Sequence, residues 1–175
     1  MTRWKLPPAA KIYEAFGAVA DGRVHVTDPS SAEVESSGRD RTYTVEWSAD
    51  LSSVTANDNA SYWQGYLGYP IVAVLLTRGV LHADERIVGQ LAGVPWHELN
   101  AQFKRDYDAA VDSVLTALAR QGADRVRIEA EVDGVMAQLA ALELERAGRE
   151  GGLRQAAAAD GPQVRSPPRP RRRAT

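Results

Sequence analysis

"AEVESSGRDRTYTVEW", residues 32–47, decides the fold. Ala32, Val34 and Ser36 alternate with Glu33 and Glu35. Tyr43, Val45 and Trp47 alternate with Thr44 and Glu46. A period of two marks strands with one buried face. "GRD" between them (38–40) supplies the turn of a hairpin. Upstream, "RVHVTD" (23–28) repeats the alternation with Val24 and Val26. Downstream, "LSSVTA" (51–56) reads as a fourth strand or as a continuation of the third. These segments predict a small antiparallel meander of three to four strands.

Helices flank this sheet. "LPP" (6–8) keeps the start of the chain extended. Ile12, Phe16 and Val19, with Tyr13 beside them, predict a short helix over 11–20, stopped by Asp21-Gly22. In "YPIVAVLLTRG" (69–79), Pro70 is tolerated only in the first helical turn, so a helix starts at Tyr69–Pro70. "DERIVGQLAG" (84–93) is a short helix. Leu99, Phe103, Tyr107, Val111, Val114 and Leu118 predict one continuous helix over 95–122. Ile128, Val132, Val135, Leu139 and Leu142 form a heptad seam on the next helix. The pair predicts a long helical hairpin, and the fold class is α+β. The regions expected are 1–80 (helix and sheet), 81–149 (hairpin packed on it) and 150–175 (a disordered Arg/Pro tail).

Composition narrows the function. The chain has 175 residues, 44% hydrophobic and 25% charged, enough to bury a core. Cysteine is absent, which excludes disulfides and thiolate zinc sites. No apolar run is long enough to span a membrane, and no signal-peptide core precedes Gly17, so a cytoplasmic, bacterial-type protein is expected. The net charge of −2 hides an asymmetry: Arg165, Arg169, Arg171, Arg172 and Arg173 lie in a tail without acids. The remainder holds 16 basic and 23 acidic residues. Only the tail suits nucleic acid.

No nucleophile motif, phosphate loop or carboxylate pair in an apolar setting appears, so no catalytic residue is assigned. His82, Asp84 and His97 match no zinc spacing, and residues at helix starts explain them. The unusual segment is "NDNASYWQGYLGYP" (57–70). A helical reading of it puts Asn59, Tyr62, Tyr66 and Tyr69 on one face, Trp63 and Leu67 on another. In the packing reading, Trp63 and the tyrosine rings are buried, and Asp58 or Asn59 caps the turn. In the recognition reading, the tyrosine face with Asn57, Asp58, Asn59 and Gln64 contacts a partner.

The order of elements resembles the SWIM zinc-finger region over about residues 11–78. In that family an S-S-x-G…Y-x-V hairpin precedes a Cys-x-Cys strand, and Cys-x-His opens a helix of the type ILAVLL. Here Val54 and Ala56 stand for the cysteine pair, and Gly68 and Pro70 for the second motif. The zinc ligands are therefore missing, and no metal or cofactor is expected. Structural zinc supplies roughly 10 kcal/mol or more in small fingers. Tyr62, Trp63, Tyr66 and Leu67 are the expected substitutes. The resemblance implies a binding module rather than a catalyst. The function expected is a non-catalytic interaction protein, engaging a protein partner or itself through 57–69 and the hairpin. The alternative is a nucleic-acid accessory protein using the Arg tail, with a small enzyme of unrecognised site third.

Overall fold

A computed structural model describes residues 2–147 of the chain. The tail expected to be disordered and to carry the five arginines lies outside the described residues. The elements run α1 (Ala10–Ala20), β1 (Val24–Asp28), β2 (Ser31–Glu35), β3 (Thr42–Trp47), β4 (Ser53–Ala56), a π-helical turn (Ala60–Gln64), α2 (Tyr69–Thr77), α3 (Glu85–Gly89), α4 (Trp96–Gln102), α5 (Tyr107–Arg120), α6 (Arg125–Ala141) and β5 (Glu145–Arg146). The fold is α+β, with a helical C-terminal half.

The sheet has five strands in the order β1-β2-β3-β4-β5. The first four form the expected meander. Ala32 faces Val45, and Val45 faces Ala56, so one row of small and β-branched residues crosses three strands. These residues, with Val34, Trp47 and Val54, are buried. Val26 departs from its expected burial: β1 is an edge strand, exposed from His25 onward. The fifth strand replaces the end of the last predicted helix. That helix stops at Ala141, and Glu145–Arg146 pairs in parallel with β4. The N-terminal segment closes the same edge. Trp4 donates its indole N–H to the Val54 carbonyl (3.0 Å), and its amide to Leu144 (3.0 Å).

Helix α2 lies on the sheet, α1 lies on α2, and α3, α5 and α6 cover the far side of α1. This layering explains why both inner helices lack a solvent-exposed face along these stretches. Pro70 to Leu75 are buried without interruption, as are Ala10 to Ala18. An apolar residue on every side of a helix means an interior position. One continuous core joins residues from Trp4 to Leu144, so the regions 1–80 and 81–147 share it.

The single helix expected over 95–122 is two helices. Phe103 to Asp106 break it, with Lys104 (φ 53°) and Arg105 (φ 68°) both left-handed. Asp106 then caps α5 by accepting from the Ala109 amide (3.0 Å). The break lets α4 bury Trp96 while α5 buries Ala110, Val114 and Leu115. Trp96 lies against Gly17 of α1, where a Cβ would come within 2.9 Å of its indole nitrogen. Each non-glycine left-handed residue costs about 1–2 kcal/mol. The hairpin is therefore the shorter α5–α6 pair, turned at Gly122 (φ 96°).

Candidate functional site

Helix α1 carries two charges into the interior. Lys11 and Glu14, one turn apart, form a buried ion pair, with Nζ 3.0 Å from each carboxylate oxygen. Glu14 also accepts from Asn100 Nδ2 (2.9 Å), and Lys11 sits 4.4 Å above the Tyr107 ring. Burial works to lower the Lys11 pKa, but Glu14 outweighs it with help from Tyr107 and Tyr66, and the net shift is upward. Lys11 therefore holds its charge inside the protein.

A second wall comes from the segment after β4. Asp58 opens the π-helical turn, its Oδ1 accepting from the amides of Ala60 (3.1 Å) and Ser61 (3.2 Å). The Ser61 hydroxyl accepts from the Gly68 amide (3.1 Å) and ties the turn to the start of α2. Oδ2 of Asp58 is buried without a hydrogen bond among the described residues. Burial raises the Asp58 pKa, against smaller opposing effects of Ser61 and Lys11. π-helical turns occur mostly as single turns and are frequent at functional sites. Here the turn sets Asp58, Asn59 and Gln64 on one side of a cleft.

Tyrosines and basic residues complete it. Tyr43 of β3 and Tyr69 of α2 meet edge to face, with centroids 6.1 Å apart. Burial pushes the Tyr69 hydroxyl pKa far up and that of Tyr66 up. Arg23 is buried and committed to Asp21 (3.2 Å) and to the Glu35 carbonyl (2.7 Å). The β2–β3 loop brings Ser36, Ser37 and Arg41, and Ser37 Oγ accepts from the His97 amide (2.8 Å). The α4–α5 junction adds Arg105 and Tyr107. The cleft, partly open to solvent, has a volume of about 330 Å³. Its described lining holds Lys11, Arg23, Arg41 and Arg105 against the acids Glu14 and Asp58.

The family described as Uncharacterised conserved protein UCP014422 matches residues 4–145. The chain belongs to that family. The matched span takes in every described wall of the cleft, from Lys11 to Tyr107. No curated protein and no solved structure matches the chain.

In this UCP014422 member the tyrosine-rich segment divides. Asp58, Asn59, Gln64, Tyr66 and Tyr69 line the cleft. Asn57 does not: its Oδ1 accepts from the Thr44 amide (2.9 Å) and prolongs the β3–β4 ladder. Tyr62 and Trp63 lie outside the cleft, edge to face with centroids 4.7 Å apart. The expected burial of Trp63 is wrong. It is 63% exposed, whereas Leu67 is 2% exposed. A π-helical turn spaces side chains wider than an α-helix, and Gly65 (φ 73°) then reverses the chain, so Trp63 points outward. Leu67 thus enters the core of this segment, and Trp63 does not.

At the positions matched to zinc ligands, Val54 and Ala56 are core residues of β4, and Pro70 opens α2. Gly68 lies under the Asp58 carboxylate. Among the described residues no group of three His, Cys, Asp or Glu side chains could hold a metal ion. Asp84 is a helix cap, accepting from the Arg86 amide (2.8 Å). Sequence reasoning missed Lys11, Glu14, Tyr43, His97, Asn100 and Arg105 as parts of one site. One signal was available: Lys11 and Glu14 are the charged residues of the helix AKIYEAFGAVA.

Proposed function

We propose that the protein binds a small, polar, anionic molecule in the cleft between α1, the β2–β3 loop, the π-helical turn and the α4–α5 junction. The described lining carries this reading: it holds Lys11, Arg23, Arg41 and Arg105 with the acids Glu14 and Asp58, and Asp21 pairs with Arg23. Lys11 and Glu14 neutralise each other, and burial disfavours the charged form of Asp58. Arg41 and Arg105 add positive charge to the cleft outside these pairs, which supports an anionic ligand. The volume of about 330 Å³ falls in the range of small-molecule sites. The tyrosine rings supply apolar faces and their hydroxyls supply donors. The reading is one of binding and assigns no reaction. A cytoplasmic setting belongs to the proposal and rests on the absence of cysteine.

The test is thermal melting of the full chain with phosphate, sulfate and mono- and dicarboxylates at millimolar concentration. At least one anion raises the melting temperature of the wild type by mass action. Ala101→Trp, an exposed helical position on the cleft wall, blocks the space and abolishes the shift. No shift with any anion, or an equal shift in the blocked variant, sinks the reading.

A second reading is supported by Trp63. Its exposed ring, backed by Tyr62, has the composition of a protein-contact hot spot. It makes this edge the proposed contact with a protein partner or a second copy, and sedimentation of wild type against Trp63→Ala tests self-association. Nucleic-acid binding through the arginine tail is a weaker proposal, supported by tail composition alone.

A further inference from the structure

Resting on the reading of the cleft as a small-anion site, we infer that its ligand is a polyhydroxylated acid of sugar size and that the Tyr69 hydroxyl reads the hydroxyl groups of that ligand.

Tyr69 is held in place from both ends. It opens α2, directly before the buried Pro70, and its ring packs against the core. Tyr43 meets that ring edge to face, with centroids 6.1 Å apart. The position of the hydroxyl is therefore set by the fold. Largely buried tyrosines ordinarily give their hydroxyl a hydrogen-bond partner. Among the described residues the Tyr69 hydroxyl has none. Nor is it sealed off. The buried side-chain polar atoms without a partner among the described residues are Asp58 Oδ2 and Trp96 Nε1. Tyr69 lines the cleft, so its hydroxyl is a fixed donor and acceptor offered to whatever enters.

The neighbouring open groups have the same character. Asn59 does not cap the π-helical turn with its side chain, and Gln64 closes that turn. Both are exposed and line the cleft. Asn100 on the opposite wall gives one N–H to Glu14 (2.9 Å) and makes no further side-chain hydrogen bond among the described residues. Each carboxamide offers donors and acceptors together. The charges nearby are already occupied: Lys11 with Glu14, and Arg23 with Asp21 and the Glu35 carbonyl.

The ligand class follows from that mixture. A bare carboxylate only accepts hydrogen bonds and leaves the acceptors of the carboxamides unused. An alcohol hydroxyl both donates and accepts, as the phenol and the carboxamides do. An amino acid would bring a cation into a cleft whose acids are unavailable, since Glu14 is held by Lys11 and burial disfavours the charged form of Asp58. The tyrosine rings of the lining supply apolar surface for the C–H side of a sugar ring.

The experiment is titration of the full chain, followed by NMR, with glucuronate, glucose and acetate. The proteins are wild type, Tyr69→Phe, Gln64→Ala and Ala101→Trp. Wild type binds glucuronate at least about tenfold more tightly than either glucose or acetate, because several hydrogen bonds add to the charge. Tyr69→Phe keeps the ring and loses roughly fivefold in glucuronate affinity, as expected for one hydrogen bond. Its melting temperature does not fall, because the hydroxyl has no partner in the protein to lose. Gln64→Ala, at an exposed position, also weakens glucuronate and leaves the core untouched. Ala101→Trp abolishes binding. A lower melting temperature for Tyr69→Phe, with glucuronate affinity unchanged in Gln64→Ala, makes the hydroxyl structural and overturns the inference. Glucuronate affinity unchanged in both Tyr69→Phe and Gln64→Ala but lost in Ala101→Trp overturns it too and leaves the small-anion reading standing. Acetate bound as tightly as glucuronate, or no glucuronate binding by wild type, overturns the polyhydroxylated class alone. Glucose bound as tightly as glucuronate, or equal binding in all four proteins, overturns the small-anion reading as well.

Discussion

The Asp58 carboxylate fills the space that a side chain at Gly68 would need. The β4–α2 connection therefore closes over a buried acid, and position 68 has no room for a Cβ. Gly68→Ala forces the carboxylate or the start of α2 to move. Overpacking of this kind typically costs about 1–3 kcal/mol. Urea denaturation measures it. In an Asp58→Ala background the same substitution costs less, because the overlapping atoms are gone and the two positions couple. Equal costs in both backgrounds would show that Asp58 is not what Gly68 accommodates.

Asp58 also makes stability depend on pH. Burial raises its folded pKa above the unfolded value, which is about 3.9. The folded state thus holds the proton more tightly. That contribution is present in full below the unfolded pKa and is lost as pH rises through the window up to the folded pKa. Asp58→Asn removes the titration and keeps the oxygen that accepts from Ala60 and Ser61. The variant gains on the wild type as pH rises from about 4, then the difference levels off. Denaturation midpoints across that range check this, and a difference independent of pH contradicts it.

The buried pair on α1 behaves as a unit. Lys11→Met leaves the Glu14 carboxylate without its cation in a buried site. Loss of one partner of a buried pair costs about 3–5 kcal/mol. The double variant Lys11→Met with Glu14→Gln recovers more than half of that, since no unpaired charge remains. The three denaturation curves decide it. A loss under about 1 kcal/mol in the single variant would mean that solvent screens the pair as it does at a surface.

The tryptophans separate by exposure. Trp63→Ala leaves stability within about 1 kcal/mol of wild type, because exposed positions contribute little to the core. Trp4→Ala costs about 3–5 kcal/mol, as for other buried aromatic truncations. Trp4 is 7% exposed, donates to Val54 and lies under the Arg146 guanidinium (4.8 Å). A large loss in Trp63→Ala would show the π-helical turn packed inward.

Local patterns in the sequence were enough for the elements whose signals are local. The alternation of Ala32, Val34 and Ser36 against Tyr43, Val45 and Trp47 specified the hairpin and its buried face. Pro70 specified the start of α2, and Asp84 the start of α3. These rest on backbone geometry and side-chain period, which act over a few residues. The break at Phe103–Asp106 was not legible, because the apolar period continues through it and only the docking of Trp96 on Gly17 and of α5 on α1 requires two axes. The direction of Trp63 was likewise decided by the π-helical turn and Gly65. The cleft itself is a tertiary object. Lys11, Tyr43, Asp58, His97 and Arg105 lie far apart in the chain, and each alone looks like an ordinary polar residue. Composition showed a body rich in acids. Only the fold pairs Lys11 with Glu14 and gathers Arg23, Arg41 and Arg105 around one space, because contacts between residues remote in the chain depend on distance and burial rather than on order along it.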